Sequence, residues 1–242
     1  MGDLDKCRIC NKIFSPYTLG EKNGYKLVAC KSCGSVMTDP LPTAQDLEKY
    51  FGEIQPQIVH LPNPAGEIAA LKKRLMRATH GFSGKRFLDA CCRNGYAVMA
   101  AKELLLKAKG IDSRDFFIRF AKEKYDPSLF EHTSAQSYAA GGGQADIVVS
   151  LAGFCENPDP DAYMAALAKI IAPGGMMYIE EPDGNHFLLP WKFERWRFCD
   201  PPVNFLYISK TGMEALLKRH GLKIKRSFFT WAPVMRFVAV KA

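Results

Sequence analysis

Phe87-Leu88-Asp89-Ala90-Cys91-Cys92-Arg93-Asn94-Gly95-Tyr96 is the stretch on which the fold of this chain turns. A short apolar run, 86–90, reads as a strand that ends at an acid. A tight turn containing Asn94-Gly95 follows, and a helical pattern opens over 95–107. Moving toward the C-terminus, the same alternation returns. A strand over 108–111 precedes a helix over 113–125, a strand over 145–151 precedes a helix over 161–171, and a strand over 176–180 precedes a helix over 210–219. The last two apolar runs, 222–230 and 234–240, are separated only by Trp231-Ala232-Pro233 and read as a hairpin, which makes one terminal strand antiparallel. Alternating β and α units predict an α/β fold, a doubly wound, Rossmann-like parallel sheet with helices on both faces. Such sheets bind ligands at the carboxyl ends of their strands, beginning at the first turn.

On the N-terminal side the chemistry changes. Cys7-Arg8-Ile9-Cys10 and Cys30-Lys31-Ser32-Cys33 are two C-x2-C knuckles with nineteen residues between them. Each knuckle offers two sulfurs, so Cys7, Cys10, Cys30 and Cys33 can close a tetrahedral all-thiolate zinc site with no open position, a structural rather than a catalytic arrangement. A module of about 40 residues buries too little apolar surface to fold unaided, and the metal supplies the difference. Asp39-Pro40-Leu41-Pro42 ends this ribbon; Thr43 is an N-cap candidate for a helix over 44–51, and Pro56, Pro62 and Pro64 predict an extended connector before a helix over 66–79. The expected organisation is a zinc ribbon over 1–40, a linker with helices over 41–80 and the α/β domain over 81–242. The other cysteines, Cys91, Cys92, Cys155 and Cys199, share no spacing and read as buried small hydrophobes or pocket lining.

Composition bounds the rest. The chain has 242 residues, 48% hydrophobic and 24% charged, which excludes disordered and fibrous classes. No apolar run reaches the roughly 18 residues of a bilayer span and the first residues lack a signal-peptide pattern, so a cytoplasmic location with no membrane partner is expected. The formal charge of +8 becomes 8 − 4 + 2 = +6 with four thiolates around one zinc. The basic residues are scattered without a continuous stripe, which argues against a nucleic-acid partner.

Asp112 closes the second strand, about 20 residues beyond the first turn, where an acid can accept both hydroxyls of a ribose; it could equally cap the next helix, and the two roles are compatible. At this point the chain resembles class I S-adenosylmethionine-dependent methyltransferases with an N-terminal zinc ribbon. The resemblance rests on the two knuckles, the segment from Pro42-Thr43 to Tyr50-Phe51, the turn from Asp89 to Gly95, Asp112, Ala145-Asp146-Ile147-Val148, Asn157-Pro158-Asp159-Pro160 and Ile171-Ala172-Pro173-Gly174-Gly175-Met176. It implies a seven-stranded sheet and a cofactor held by Asp89, Cys91, Arg93, Gly95, Asp112, Ser134, Ala135 and Leu151. It also shows three departures, one of them Ser134-Ala135-Gln136 after the third strand, where the family often has an acid near the adenine. Where the family's turn carries three glycines, this chain has Cys91, Arg93 and Gly95, so only the last is kept. A β-carbon in a left-handed backbone there costs about 1–3 kcal/mol. Arg93 could pair with the cofactor's carboxylate or fill its pocket.

The Glu-His pair common in the family after the fourth strand is Cys155-Glu156 here, leaving Glu156 as a base only if burial raises its pKa. Residues 181–208 hold Glu181, His186, Trp191, Phe193, Glu194, Trp196, Phe198, Phe205 and Tyr207, an aromatic insertion that could cover a planar acceptor or pack onto the sheet. His186 is a base candidate or a solvated loop histidine, and His60, His80, His132 and His220 show no metal pairing. The expected activity is methyl transfer from S-adenosylmethionine to a small molecule. The competing expectation is a scaffold of the same fold that has lost the cofactor through Cys91 and Arg93.

Overall fold

The computed structural model describes residues 6–59, 63–79, 84–189 and 192–242, with backbone only at 44 and 53–59. It opens with three antiparallel strands, β1 (Pro16–Lys22), β2 (Tyr25–Cys30) and β3 (Val36–Asp39), followed by helices α1 (Ala44–Val59) and α2 (Pro64–Ala78). The α/β units are β4 (Arg86–Asp89), α3 (Tyr96–Glu103), β5 (Lys107–Asp112), α4 (Asp115–Lys124), β6 (Phe130–His132), α5 (Ala135–Ala140), β7 (Ala145–Leu151), α6 (Pro160–Ile170) and β8 (Ile171–Pro182). After the insertion, with its two-residue strand β9 (Leu206–Tyr207), come α7 (Lys210–Arg219), β10 (Leu222–Phe228) and β11 (Val234–Lys241).

Seven strands form the main sheet in the order β10-β11-β8-β7-β4-β5-β6. The pairs from β8 to β6 are parallel, and β11 runs antiparallel to β8 and to β10, as the hairpin pattern requires. Ile147, Val148 and Val149 of β7 are fully buried, because helices cover both faces and leave no solvated side to alternate toward. The order reverses between β4, which pairs β5 on one side and β7 on the other, and this opens a crevice at their carboxyl ends.

Three boundaries differ from the sequence expectation. The stretch 52–59 is not an extended connector: α1 continues to Val59, because Pro56 removes a single helical N–H close to the helix end and does not abolish the helix. Thr43 caps α1 as expected, its Oγ1 accepting from Asp46 N at 3.1 Å while Asp46 accepts from Thr43 N at 2.8 Å. Helix α3 stops at Glu103 rather than 107, since Leu105 adopts a left-handed φ of 59°. The Pro173-Gly174-Gly175 turn is instead a bulge inside β8: Ala145 pairs Ile171, then Ile147 pairs Met176.

The cysteine ribbon does not stand apart. Strand β9, from the insertion, pairs antiparallel with β3, giving a four-stranded sheet in the order β1-β2-β3-β9. Cys7, Ile9, Val28 and Met37 share one buried cluster with Leu88, Val148, Phe205 and Leu216 of the main domain. Phe193, Trp196 and Tyr207 pack with Leu27 and Val36, so most rings of the insertion serve packing. Among the described residues no helix is long and apolar enough to cross a membrane.

Gly95 is the one glycine of the first turn whose absence of a side chain is enforced twice. Its φ is 78°, and a β-carbon would stand 2.6 Å from Cε1 of Phe130. Gly95→Ala is expected to lower stability by about 2–5 kcal/mol in urea unfolding, the sum of left-handed strain and overpacking. Unchanged stability would show that neither the left-handed backbone nor the Phe130 contact constrains this position.

Candidate active site

The crevice holds two cavities that share a wall. One, of about 730 Å3, is lined by Asp112, Ser113, Ser134, Ala135 and Gln136 at the ends of β5 and β6, and is roofed by Leu47, Glu48 and Phe51 of α1. The other, of about 570 Å3, is lined by Asp89, Arg93, Tyr96 and Leu151, by Glu180 and Glu181 at the end of β8, and by Phe198, Asp200 and Asn204 of the insertion. Phe51, Cys91, Arg114 and Glu156 belong to both. A ligand with one polar end in each cavity would therefore pass between these four side chains.

That shared wall is a chain of charges. Asp112, nearly inaccessible at 2% exposure, accepts four hydrogen bonds. Backbone N–H groups of Arg93 and Arg114 donate to Oδ2 and Oδ1, each at 3.0 Å. The Arg114 guanidinium donates from Nε to Oδ1 at 2.9 Å and from Nη2 to Oδ2 at 3.1 Å. Glu156 accepts from Arg93 Nη2 on one oxygen and from Arg114 Nη1 on the other. Burial alone would raise the Asp112 carboxyl, but the Arg114 charge and its hydrogen bonds outweigh that and hold it below the ordinary carboxylate range.

Arg93 takes the left-handed φ of 45° that a glycine would adopt without cost, so the backbone of the turn keeps its shape although the side chain has changed. Its Nη2 also donates to Ala152 O at 3.1 Å. The buried Nε of Arg93 and the hydroxyl of Tyr96 have no hydrogen-bond partner among the described residues, and both residues line the second cavity. Buried donors without a partner, on residues that line a cavity, fit a ligand carrying an anionic or carbonyl oxygen.

Two further acids stand over the second cavity. Asp89 is 2% exposed and burial pushes its pKa up to about 7, against the pull of the Cys91 N–H on Oδ1 at 3.2 Å. Glu181, also 2% exposed, is raised by burial to about 8 even though it accepts from the N–H groups of Phe154 at 3.1 Å and Cys155 at 3.3 Å.

The cofactor residues expected from sequence divide between the two cavities. Asp89, Arg93 and Leu151 lie in the second cavity, Asp112, Ser134 and Ala135 in the first, and Cys91 in both; Gly95 shapes the turn and lines neither. Ser134 also caps α5, accepting from Ser137 N at 3.1 Å. His186 is not brought to the site. Its Nδ1 accepts from Leu188 N at 3.1 Å, its Nε2 sits 3.4 Å from Thr230 O, and its ring lines neither cavity, so both nitrogens serve the loop. Glu156 is in place, but each of its oxygens holds a guanidinium, so it acts as a counter-ion rather than as a free base. His60, His80 and Trp191 lie outside the described residues. Sequence reasoning assigned no role to Arg114 and placed Glu181 only within the aromatic insertion; the Asp112-Ser113-Arg114 spacing was the available signal for the first, and position at the end of β8 for the second.

Away from the crevice, the four knuckle cysteines converge. The sulfurs of Cys7, Cys10, Cys30 and Cys33 lie within 4.8 Å of one another, with 3.9 Å between Cys7 and Cys33 and 4.0 Å between Cys10 and Cys30. A tetrahedral zinc with bonds of about 2.3 Å places sulfurs about 3.8 Å apart, so this donor set fits that ion.

Comparisons with known proteins agree with this geometry. The ubiquinone biosynthesis O-methyltransferase of Dinoroseobacter shibae is 29% identical over 194 residues, covering 70% of this chain and 77% of that protein. The enzyme of the same name from Cereibacter sphaeroides is 29% identical over 193 residues, with 72% and 78% covered. Among solved structures, the magnesium protoporphyrin IX methyltransferase of Synechocystis with bound S-adenosylhomocysteine superposes with a TM-score of 0.60 at 16% identity, over 83% of this chain and all of that one. The [4+2]-cyclase SpnF superposes at 0.65 with 15% identity, over 83% and 97%, so the architecture by itself admits more than one chemistry. A methyltransferase domain model matches residues 62–226, which is more than half of the chain and includes every residue lining the two cavities except those of α1 and Val234, and the chain therefore belongs to the methyltransferase domain family.

Proposed function

We propose that the chain transfers a methyl group from S-adenosylmethionine to a hydroxyl of a small, ring-containing acceptor, and that a structural zinc on Cys7, Cys10, Cys30 and Cys33 holds its N-terminal ribbon. The observation that carries this is the pair of cavities meeting at Cys91 and Glu156, one ending at a buried acid on β5 and the other at a buried acid on β8. The relatives named as O-methyltransferases support a hydroxyl acceptor.

The bound cofactor supplies a methyl group already activated on a sulfonium, so the protein's contribution is alignment and exclusion of water. Asp112 would hold the ribose hydroxyls, Ser134 and Ala135 would line the adenine position, and the free Nε of Arg93 with the Tyr96 hydroxyl would receive the cofactor's carboxylate. This favours Arg93 as a ligand over Arg93 as a plug. Phe117, Phe198 and Tyr50 give the second cavity apolar walls suited to a flat acceptor. Glu181, facing that space with a pKa near 8, would take the hydroxyl proton.

The test is release of S-adenosylhomocysteine and gain of one methyl group on a panel of phenolic acceptors, followed by mass spectrometry. Folded, zinc-loaded protein that binds no S-adenosylhomocysteine at millimolar concentration would instead support a scaffold. Glu181→Gln is expected to lower kcat by about 10^2–10^4-fold. The wild-type rate should rise through pH 8 as the carboxylate forms, and the variant should lack that rise. Stability moves the opposite way. Glu181 and Asp89 bind protons more tightly folded than unfolded, where their pKa values are about 4, so their contribution is intact below pH 4 and is lost as pH rises toward 7 and 8. Urea unfolding from pH 4.5 to 8 reads this, and the slope should be shallower in Glu181→Gln.

A further inference from the structure

Asp112 has no acceptor capacity left. A carboxylate offers about four lone-pair positions, and all four are taken, two by backbone N–H groups and two by Nε and Nη2 of Arg114. The backbone donors are fixed by the turn and by the start of α4. The guanidinium is not: it is the end of a flexible side chain that lines both cavities. It presents two parallel N–H donors, one to each oxygen, and a vicinal diol presents two O–H donors in the same way.

We propose that Arg114 is a displaceable stand-in for the ribose diol: it occupies the Asp112 acceptors in the free protein and must turn away before an adenosyl ligand binds. This rests on the cofactor assignment above. The side chain has somewhere to remain when displaced. Its Nη1 donates to Glu156, and its Cζ lies 4.6 Å from the Phe117 ring centroid and 5.4 Å from that of Phe51, so it can pivot about Glu156 while staying over apolar faces. Because Phe51 belongs to α1, which roofs the first cavity, the pivot also couples ribose binding to that helix. Arg114 is thus a positioning residue that taxes cofactor affinity and keeps Asp112 ionised and oriented in its absence.

Calorimetric titration with S-adenosylhomocysteine and with its 2′,3′-dideoxy analogue tests this on wild type, Arg114→Gln and Arg114→Lys. The expected result is roughly ten-fold or greater tightening for S-adenosylhomocysteine in Arg114→Gln, with a smaller gain in Arg114→Lys, which keeps the charge but not the planar two-pronged fork. The gain should vanish for the dideoxy analogue, since it has no hydroxyls to claim the vacated acceptors; a merely structural role for Arg114 would alter both ligands alike. Weaker or equal binding of S-adenosylhomocysteine by variants that melt cooperatively would overturn the proposal while leaving the cofactor assignment intact. Failure of all three proteins to bind either ligand would overturn the cofactor assignment and this proposal with it.

Discussion

Removing the zinc proposed for the four-cysteine cluster, by chelation or by Cys30→Ser, is expected to unfold the entire chain rather than the ribbon alone. Small thiolate zinc modules draw about 10–16 kcal/mol of apparent folding free energy from the ion. That exceeds or matches the about 5–15 kcal/mol by which a whole domain is stable. The ribbon is also joined to the main domain by groups that cannot be exposed cheaply. Ser209 caps α7 through Gly212 N at 2.9 Å, while its own N–H donates to Ser35 Oγ at 3.1 Å and its hydroxyl donates to Cys33 O. Gly212 has no room for a side chain, a β-carbon there standing 2.3 Å from Ser35 Oγ. Arg219 Nη1 donates to Ile9 O at 3.1 Å. Loss of the thiolate cluster would release these partners and open the shared core of Ile9, Met37 and Phe205. Circular dichroism melts with and without chelator, paired with zinc analysis, measure the effect. A chelated protein that melts at the same temperature and still binds S-adenosylhomocysteine would contradict it.

Asp112→Ala is expected to abolish cofactor binding and to weaken the fold together. The affinity for S-adenosylhomocysteine should fall at least about 100-fold, because two charge-assisted hydrogen bonds to the ribose are lost. Breaking one member of a buried ion pair costs about 3–5 kcal/mol. The lower part of that range applies here, since Glu156 still faces the orphaned Arg114. Asp112→Asn separates the two effects: its shape is kept, so stability should recover more than affinity. In wild type the Asp112 contribution is present above pH 4 and is lost on acidification, because its pKa is lower folded than unfolded. Calorimetry and urea unfolding on both variants check this, and tight binding by Asp112→Ala would place the ribose elsewhere.

Much of the architecture could be read from the sequence because it rests on local signals. The alternation of apolar runs and amphipathic stretches, each bounded by a turn residue, orders β4, β5, β7, β8, β10 and β11 but passes over the three-residue β6, and the C-x2-C spacing picks out the four cysteines whose sulfurs converge. Asp89 and Asp112 were legible because the ends of β4 and β5 fix where their side chains point. What was not legible depends on contacts between distant segments. Strand β9 is two residues long and has no periodicity; it is a strand only because β3 offers it an edge. Pro56 looks like a helix breaker, yet one missing N–H near a terminus is tolerated. The pairing of Arg114 with Asp112 is a rotamer choice settled by Phe51, Phe117 and Glu156, which lie 63, 3 and 42 positions away along the chain. His186 was placed by its nearness to the end of β8, but the loop turns its ring toward Thr230.

The pairing of β3 with β9 sets an order of events during synthesis. Val36 meets Tyr207, so a polypeptide emerging from the ribosome must extend well past its midpoint before the small sheet can gain its fourth strand. Until then, the outer edge of β3 presents unpaired backbone groups, the kind of surface on which nascent chains associate wrongly. Early capture of an ion by the knuckles would keep that edge short and anchored while translation catches up.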